Sequence, residues 1–207
     1  MPRLLLLRHG QTAWNVEGRG QGHADVPLDD VGRAQAAEAG AHIAKAAPAA
    51  VWSSDSSRAR DTATAIGLAV TVDARLREIN LGAHEGRTLR EWQAEDPRGY
   101  AAWRSGHDVR RGGGETYAEV AGRALPAVHE ALAGLPDPRD LLVIVSHGGA
   151  IRALTTALLQ LPAAPWARLT GLGNCCCALL VDTGDGRGWR LGAYGVTPDF
   201  LRPPASR

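Results

Sequence analysis

Two histidines stand where short apolar runs end. Leu4–Leu7 leads into Arg8-His9-Gly10-Gln11-Thr12, and Leu141–Val145 leads into Ser146-His147-Gly148-Gly149. In α/β sheets, ligands bind at the carboxyl ends of strands, so both imidazoles are well sited for chemistry. Arg8 adds a planar fork of donors that fits phosphate oxygens. Gly10 lets the backbone turn sharply and come close to a ligand. A helix is expected directly after His147, and a helix N-terminus attracts anions through its amides and dipole. A third apolar run ends in Trp52-Ser53-Ser54-Asp55-Ser56-Ser57-Arg58, which places Arg58 about one turn into another helix. Two imidazoles and two guanidiniums facing one pocket would handle a phosphate group. His23, His42, His84, His107 and His129 lack such a setting and read as structural or exposed.

The elements that must position these residues follow from hydrophobic pattern. Leu4–Leu7, Ala50–Trp52, Val70–Val72, Leu141–Val145 and Ala178–Val181 are continuous apolar runs, with Trp189–Tyr194 as a last strand. Runs without alternation suit strands covered on both faces. Val31–Ala47, Ser57–Ile66, Thr116–Leu132 and Ala150–Leu161 read as helices between them. Thr116 and Glu119 form a capping box, and Pro126 should kink the helix that they start. The alternation predicts an α/β fold, a three-layer α/β/α sandwich with a mostly parallel central sheet. The pattern weakens from about residue 80 to 114, which reads as a small helical lid insertion hinged at Gly112-Gly113-Gly114. A single catalytic domain is expected over residues 1–198, with a loose tail over 199–207.

Composition sets the outer bounds. The 207 residues carry 23 basic and 22 acidic side chains, a formal net charge of +1, so neither nucleic acid nor a membrane surface is an expected partner. The opening apolar run of four is shorter than a signal-peptide core of about 7–15 residues, and no stretch approaches the roughly 18 of a membrane span. The expectation is a soluble cytoplasmic protein. Cys175, Cys176 and Cys177 are adjacent, which suits neither a disulfide nor a zinc site; they read as small residues in a buried strand. No paired Asp/His ligand cluster stands beside His9, so no metal or other cofactor is expected.

Taken in order, these residues resemble the histidine phosphatase superfamily, the phosphoglycerate mutase-like proteins. Arg8-His9-Gly10-Gln11-Thr12 with Asn15, then Gln21-Gly22, Asp25, Pro27-Leu28 and Gly32, are similar to its first blocks. So are Ser53-Ser54-Asp55 with Arg58, Leu76-Arg77-Glu78-Ile79 with Gly82 and Glu85-Gly86, Gly113-Gly114-Glu115, and Ser146-His147-Gly148-Gly149. The likeness spans about residues 3 to 194. It implies that His9 is a nucleophile forming a phosphohistidine, and that Arg8, Arg58 and His147 clamp the phosphoryl oxygens. Among Glu78, Glu85 and Glu115, it favours Glu78 as general acid and base. Asn15, Gln21, Gly22 and the Gly148 amide look like accessory substrate contacts. Arg110 and Arg111 could hold a substrate carboxylate or second phosphate.

The interval from Glu78 to His147 is compact, whereas the mutases of this family carry a longer insertion there. Hydrolysis of a small phosphorylated metabolite is therefore expected over isomerisation by a phosphoglycerate mutase or silent phosphate binding. The segments Leu159-Gln160-Leu161-Pro162, Trp166, Gly171-Leu172-Gly173-Asn174 and Trp189-Arg190-Leu191 resemble the actinobacterial glucosyl-3-phosphoglycerate phosphatases. Many members of the family are dimers, so a homodimer is a further expectation.

Overall fold

Strand and helix alternate along the chain much as the apolar pattern dictates. The computed structural model describes residues 1–161, 168–185 and 187–201. Its elements are β1 (Arg3–Arg8), α1 (Ala13–Val16), α2 (Asp30–Lys45), β2 (Ala50–Ser53), α3 (Ser57–Thr64), β3 (Val70–Val72), α4 (Leu89–Glu95) and α5 (Pro97–Arg104). They continue with α6 (Tyr117–Ala133), β4 (Leu141–Ser146), α7 (Gly148–Leu158), β5 (Cys177–Asp182) and β6 (Trp189–Val196). The capping box at Thr116 and Glu119 forms, and α6 runs on through Pro126. His147 is itself the N-cap of α7, so that helix starts two residues earlier than expected.

The strands form one sheet in the order β3-β2-β4-β1-β5-β6. β1 pairs parallel with β4, and β2 parallel with both β4 and β3; only β5 runs antiparallel to its neighbours β1 and β6. Successive side chains of a strand point to opposite faces. Leu4, Leu6, Leu142 and Ile144 therefore pack with Ala124, Val128, Ile151 and Leu154 of α6 and α7. Leu5, Leu7, Val143 and Val145 pack with Ile43, Ala59 and Ala63 of α2 and α3 on the other side. Both faces are covered, which is why these strands read as unbroken apolar runs.

The segment after β1 passes to the α2 face, whereas the segment after β4 passes to the α7 face. Their parting at neighbouring strands opens a crevice at the carboxyl edge, the usual ligand site of such sheets.

The region from 80 to 114 contains the helices α4 and α5. Its glycines are not a free joint. A Cβ on Gly112 would lie 2.3 Å from the Leu81 carbonyl oxygen, and one on Gly114 would lie 2.1 Å from that of Asn80. Two backbone segments touch there, so glycine serves close approach rather than hinging.

Two more expectations change at the C-terminal end. Only Cys177 lies in β5; Cys175 and Cys176 precede it, and Cys175 takes a positive φ of 51°. Within the span expected as a loose tail, Phe200 and Leu201 pack against the core on the α2 side, and residues 202–207 lie outside the described residues. Pro162 and Trp166, named in the C-terminal resemblance, lie outside the described residues.

Gly32 locks α2 against the turn that carries His9. A Cβ there would lie 2.0 Å from the Gln11 carbonyl oxygen and 2.7 Å from its amide nitrogen. Gly32→Ala should cost about 2 kcal/mol, since rigid backbone must move. Thermal denaturation checks this; an unchanged midpoint would contradict the close packing.

Candidate active site

The β1–β4 register pairs Arg8 with Ser146. The next residue on each strand is a histidine, so His9 and His147 leave the sheet side by side. Their ring centroids lie 5.2 Å apart at 61°, and the rings are 2% and 0% exposed. The His9 amide donates to the Ser146 carbonyl at 3.1 Å, which ties the turn to β4.

Hydrogen bonds assign the tautomers. His9 Nδ1–H donates to the Gly10 carbonyl at 2.7 Å, which leaves Nε2 with a free lone pair. Arg58 Nε donates to His147 Nδ1 at 3.2 Å, so His147 Nε2 carries the hydrogen and donates to Ser54 Oγ at 2.9 Å. Burial first, and the nearby Arg8 and Arg58 guanidiniums second, hold the His9 pKa well below its ordinary 6.5. Burial and then Arg58 do the same to His147. Both rings are neutral at neutral pH.

Arg58, in the first turn of α3, is fully buried. Its other nitrogens donate to the carbonyls of Ala24 at 2.7 Å and Gly22 at 3.0 Å. Arg8 reaches the Leu172 carbonyl, while its Nε is buried without a partner. Gln21 Oε1 is likewise buried and unpartnered. A cavity of about 270 Å³ opens over these groups. His9, Arg8, Arg58, Glu78, Asn15, Gln21, Gly22 and Gly148 all stand on its wall, as the sequence led us to expect. His147 lies behind His9, with both its ring nitrogens already bonded.

Glu78 faces the cavity from the segment after β3. One carboxylate oxygen accepts from the Ile79 and Ala150 amides at 2.8 and 2.9 Å, and the other from the Gly149 amide at 3.0 Å. The α7 N-terminus thus grips the carboxylate. Behind it, Arg123 donates to the carbonyls of Arg75, Arg77 and Glu78. The Arg77–Asp55 pair, at 2.7 and 2.5 Å, ties the same segment to the loop after β2. The other two carboxylates have local duties. Glu115 pairs with Arg123 at 2.7 Å, and Glu85 accepts from the His23 amide at 2.7 Å.

One expected contact fails. Arg110 turns away from the cavity to bond Glu119 and the Gly114 carbonyl, because the α6 capping-box carboxylate is its nearest anion. Arg111 does line the cavity. Arg152, Arg19, Trp103 and Tyr117 also line it and were not anticipated. Arg152 was legible in principle: it lies four residues after Gly148, hence on the same face of α7. Asn174 was missed as well; its amide bridges the His9 carbonyl and Asn15 Oδ1, each at 3.1 Å. Cys175 and Cys177 are free thiols, pushed up to about 12 by burial.

Residues 4–197 match the family model for the histidine phosphatase superfamily, branch 1. The chain belongs to that superfamily. It is 43% identical over 182 residues to a glucosyl-3-phosphoglycerate phosphatase of Mycobacterium tuberculosis, covering 83% of this chain and 82% of the relative. A probable phosphoglycerate mutase of Erwinia tasmaniensis is 37% identical over 184 residues, covering 84% and 82%. The structure of a mycobacterial glucosyl-3-phosphoglycerate phosphatase in complex with VO3 superposes with a TM-score of 0.88 at 41% identity, covering 94% of this chain and 99% of that one. The enzyme class expected from the sequence, a phosphatase of this superfamily, stands with these likenesses. Among the described residues, no group of three His, Cys, Asp or Glu side chains is gathered to hold a metal, and no helix is long and apolar enough to cross a membrane.

Neutral buried imidazoles carry a linkage consequence. The unfolded chain binds protons at His9 and His147 below about pH 6.5, while the native state does not. Their contribution therefore lowers stability as pH falls through 6.5, and it vanishes above. Nitrogen-15 spectra should show the His9 and His147 imidazoles still neutral at pH 5.5. If either ring is charged at that pH, the account of two neutral imidazoles is wrong.

Proposed function

We propose that the chain hydrolyses phosphate monoesters through a phosphohistidine on His9, without a metal. The observation that carries this is the unbonded Nε2 lone pair of a neutral, buried His9, its ring centroid 5.2 Å from that of His147, in a cavity walled by Arg8, Arg58 and Glu78. The fixed Gly10 contact orients the ring before substrate arrives.

The steps follow from the residues. His9 Nε2 attacks phosphorus and the P–O ester bond breaks. The leaving alkoxide takes a proton from Glu78. Arg8 and Arg58 neutralise the charge on the equatorial oxygens. His147 Nε2–H transfers its hydrogen bond from Ser54 to a phosphoryl oxygen as the cavity fills. In the second half, Glu78 accepts a proton from water, the water oxygen bonds to phosphorus, and the P–N bond breaks. Inorganic phosphate leaves and His9 is again neutral.

The substrate class proposed is a small phosphorylated sugar or glycerate, with glucosyl-3-phosphoglycerate the first to assay. The compact lid favours hydrolysis, since a mutase must keep the phosphohistidine dry. The likeness to a probable mutase keeps isomerisation as the reading to exclude.

His9→Ala should lower turnover of an aryl phosphate at least about a thousandfold; near-normal turnover would reject His9 as nucleophile. Glu78→Gln should slow alkyl phosphates about 10²-fold or more and aryl phosphates far less, since aryl leaving groups need no proton. Equal losses on both would argue against an acid. With 3-phosphoglycerate, phosphate release without 2-phosphoglycerate is expected. Formation of the 2-isomer that depends on bisphosphoglycerate would make the chain a mutase. Activity should survive a chelator.

A further inference from the structure

His23 shows no sign of function in sequence, yet its ring joins two parts of the site. It follows Gln21 and Gly22, which stand on the cavity wall. It lies between the two carbonyls, of Gly22 and Ala24, that orient Arg58. Its Nε2 is 2.9 Å from the Glu78 carbonyl oxygen. The hydrogen sits on Nε2 for a local reason. The Gly82 amide donates to Asn80 Oδ1 at 2.7 Å, which turns Asn80 Nδ2 toward His23 Nδ1 at 3.3 Å. Nδ1 therefore accepts, and Nε2–H donates to Glu78.

The loop that carries this ring is anchored without it. Asp25 accepts from the Ser57 amide and hydroxyl at 2.8 and 2.9 Å, and Glu85 accepts from the His23 amide at 2.7 Å. The loop is thus a fixed post, and Glu78 is the part being placed. Glu78 needs placing because its present grip suits a resting anion. Three amides meet its two oxygens, whereas a carboxyl group that carries a proton has one oxygen that donates. To protonate a leaving alkoxide, the side chain must turn that oxygen from α7 toward the ester. During the turn the residue is held by its main chain, where the Glu78 carbonyl accepts from His23 and from Arg123 Nη2 at 2.7 Å. Arg123 comes from α6, and His23 from the loop that orients Arg58. The imidazole therefore ties the acid to the phosphoryl clamp.

We propose that His23 is a positioning residue for the proton transfer. Its Nε2–H, on the Glu78 carbonyl, keeps the carboxyl group within reach of the leaving oxygen while Arg58 holds the phosphoryl group. This rests on the reading of Glu78 as general acid. Loss of the ring leaves Arg58 its two carbonyls, so the consequence falls on leaving groups that need a proton and spares those that do not.

The probes are 3-phosphoglycerate, whose leaving group is an alkoxide, and 4-nitrophenyl phosphate, whose leaving group needs no proton. His23→Leu keeps the bulk and removes both ring nitrogens. It should lower kcat on the glycerate about tenfold and on the aryl ester less than about twofold. His23→Gln, whose Nε2 lies as many bonds from the main chain as that of the imidazole, should recover the glycerate rate to within about threefold. Added to Glu78→Gln, His23→Leu should cost the glycerate reaction nothing further. Thermal denaturation accompanies each variant, and His23→Ala replaces His23→Leu should the latter not fold. Equal losses on both substrates, no loss on either, or a glutamine variant as slow as the leucine one overturns the role. Glu78→Gln alone separates the two readings. If it is selective against the glycerate and His23→Leu is not, His23 is struck and the acid stands; if Glu78→Gln is not selective, both fall.

Discussion

The parallel pairing of β1 with β4 is the constraint on which the site depends. Its register sets Arg8 opposite Ser146, and therefore His9 beside His147. A slip by one residue would turn each run of leucines and valines to the wrong face. The hydrophobic core and the chemistry are thus fixed by the same ladder. Leu4, Leu6, Leu142 and Ile144 cannot find α6 and α7 without also bringing the imidazoles together. β2 extends the arrangement: Ser53 pairs with Val145, so Ser54 emerges beside His147 and meets its Nε2.

Around that ladder, charge is managed by burial and by backbone. The imidazoles are kept neutral first by burial and then by the two guanidiniums beside them. Those guanidiniums donate to carbonyls of Gly22, Ala24 and Leu172, which orient them without cancelling their charge. Glu78 is held by amides of α7, so its place is set by the same helix that starts at His147.

Much of this was legible in residue order because burial on both faces writes unbroken apolar runs. β1, β4 and β5 were readable on those grounds, as were the strand-end positions of both histidines, whereas β3 and β6 are largely exposed. Helix α6 announced itself through Thr116 and Glu119. Side-chain partners across the fold were not legible. Arg110 found Glu119, nine residues away and outside any helical spacing, because α6 folds back beside it. The glycine triplet looks the same on paper whether it flexes or lets two backbones touch. Cys175 shows no sign in sequence of its positive φ, which accompanies hydrogen bonds from its amide to the carbonyls of Arg8 and His9. Helices α4 and α5 were under-read although Thr88 with Glu91 and Asp96 with Pro97 cap them plainly.

The pairing of uncharged imidazoles with unpaired guanidiniums has an outcome for the molecule in its surroundings. Arginine does not give up its proton at any pH that a cell reaches, and the two rings are already neutral. The cationic wall of the cavity therefore keeps constant strength from mild acid to mild alkali. A phosphate monoester loses its second proton near pH 6. Across that range it is the visiting molecule that changes ionisation, while the cationic side chains receiving it do not.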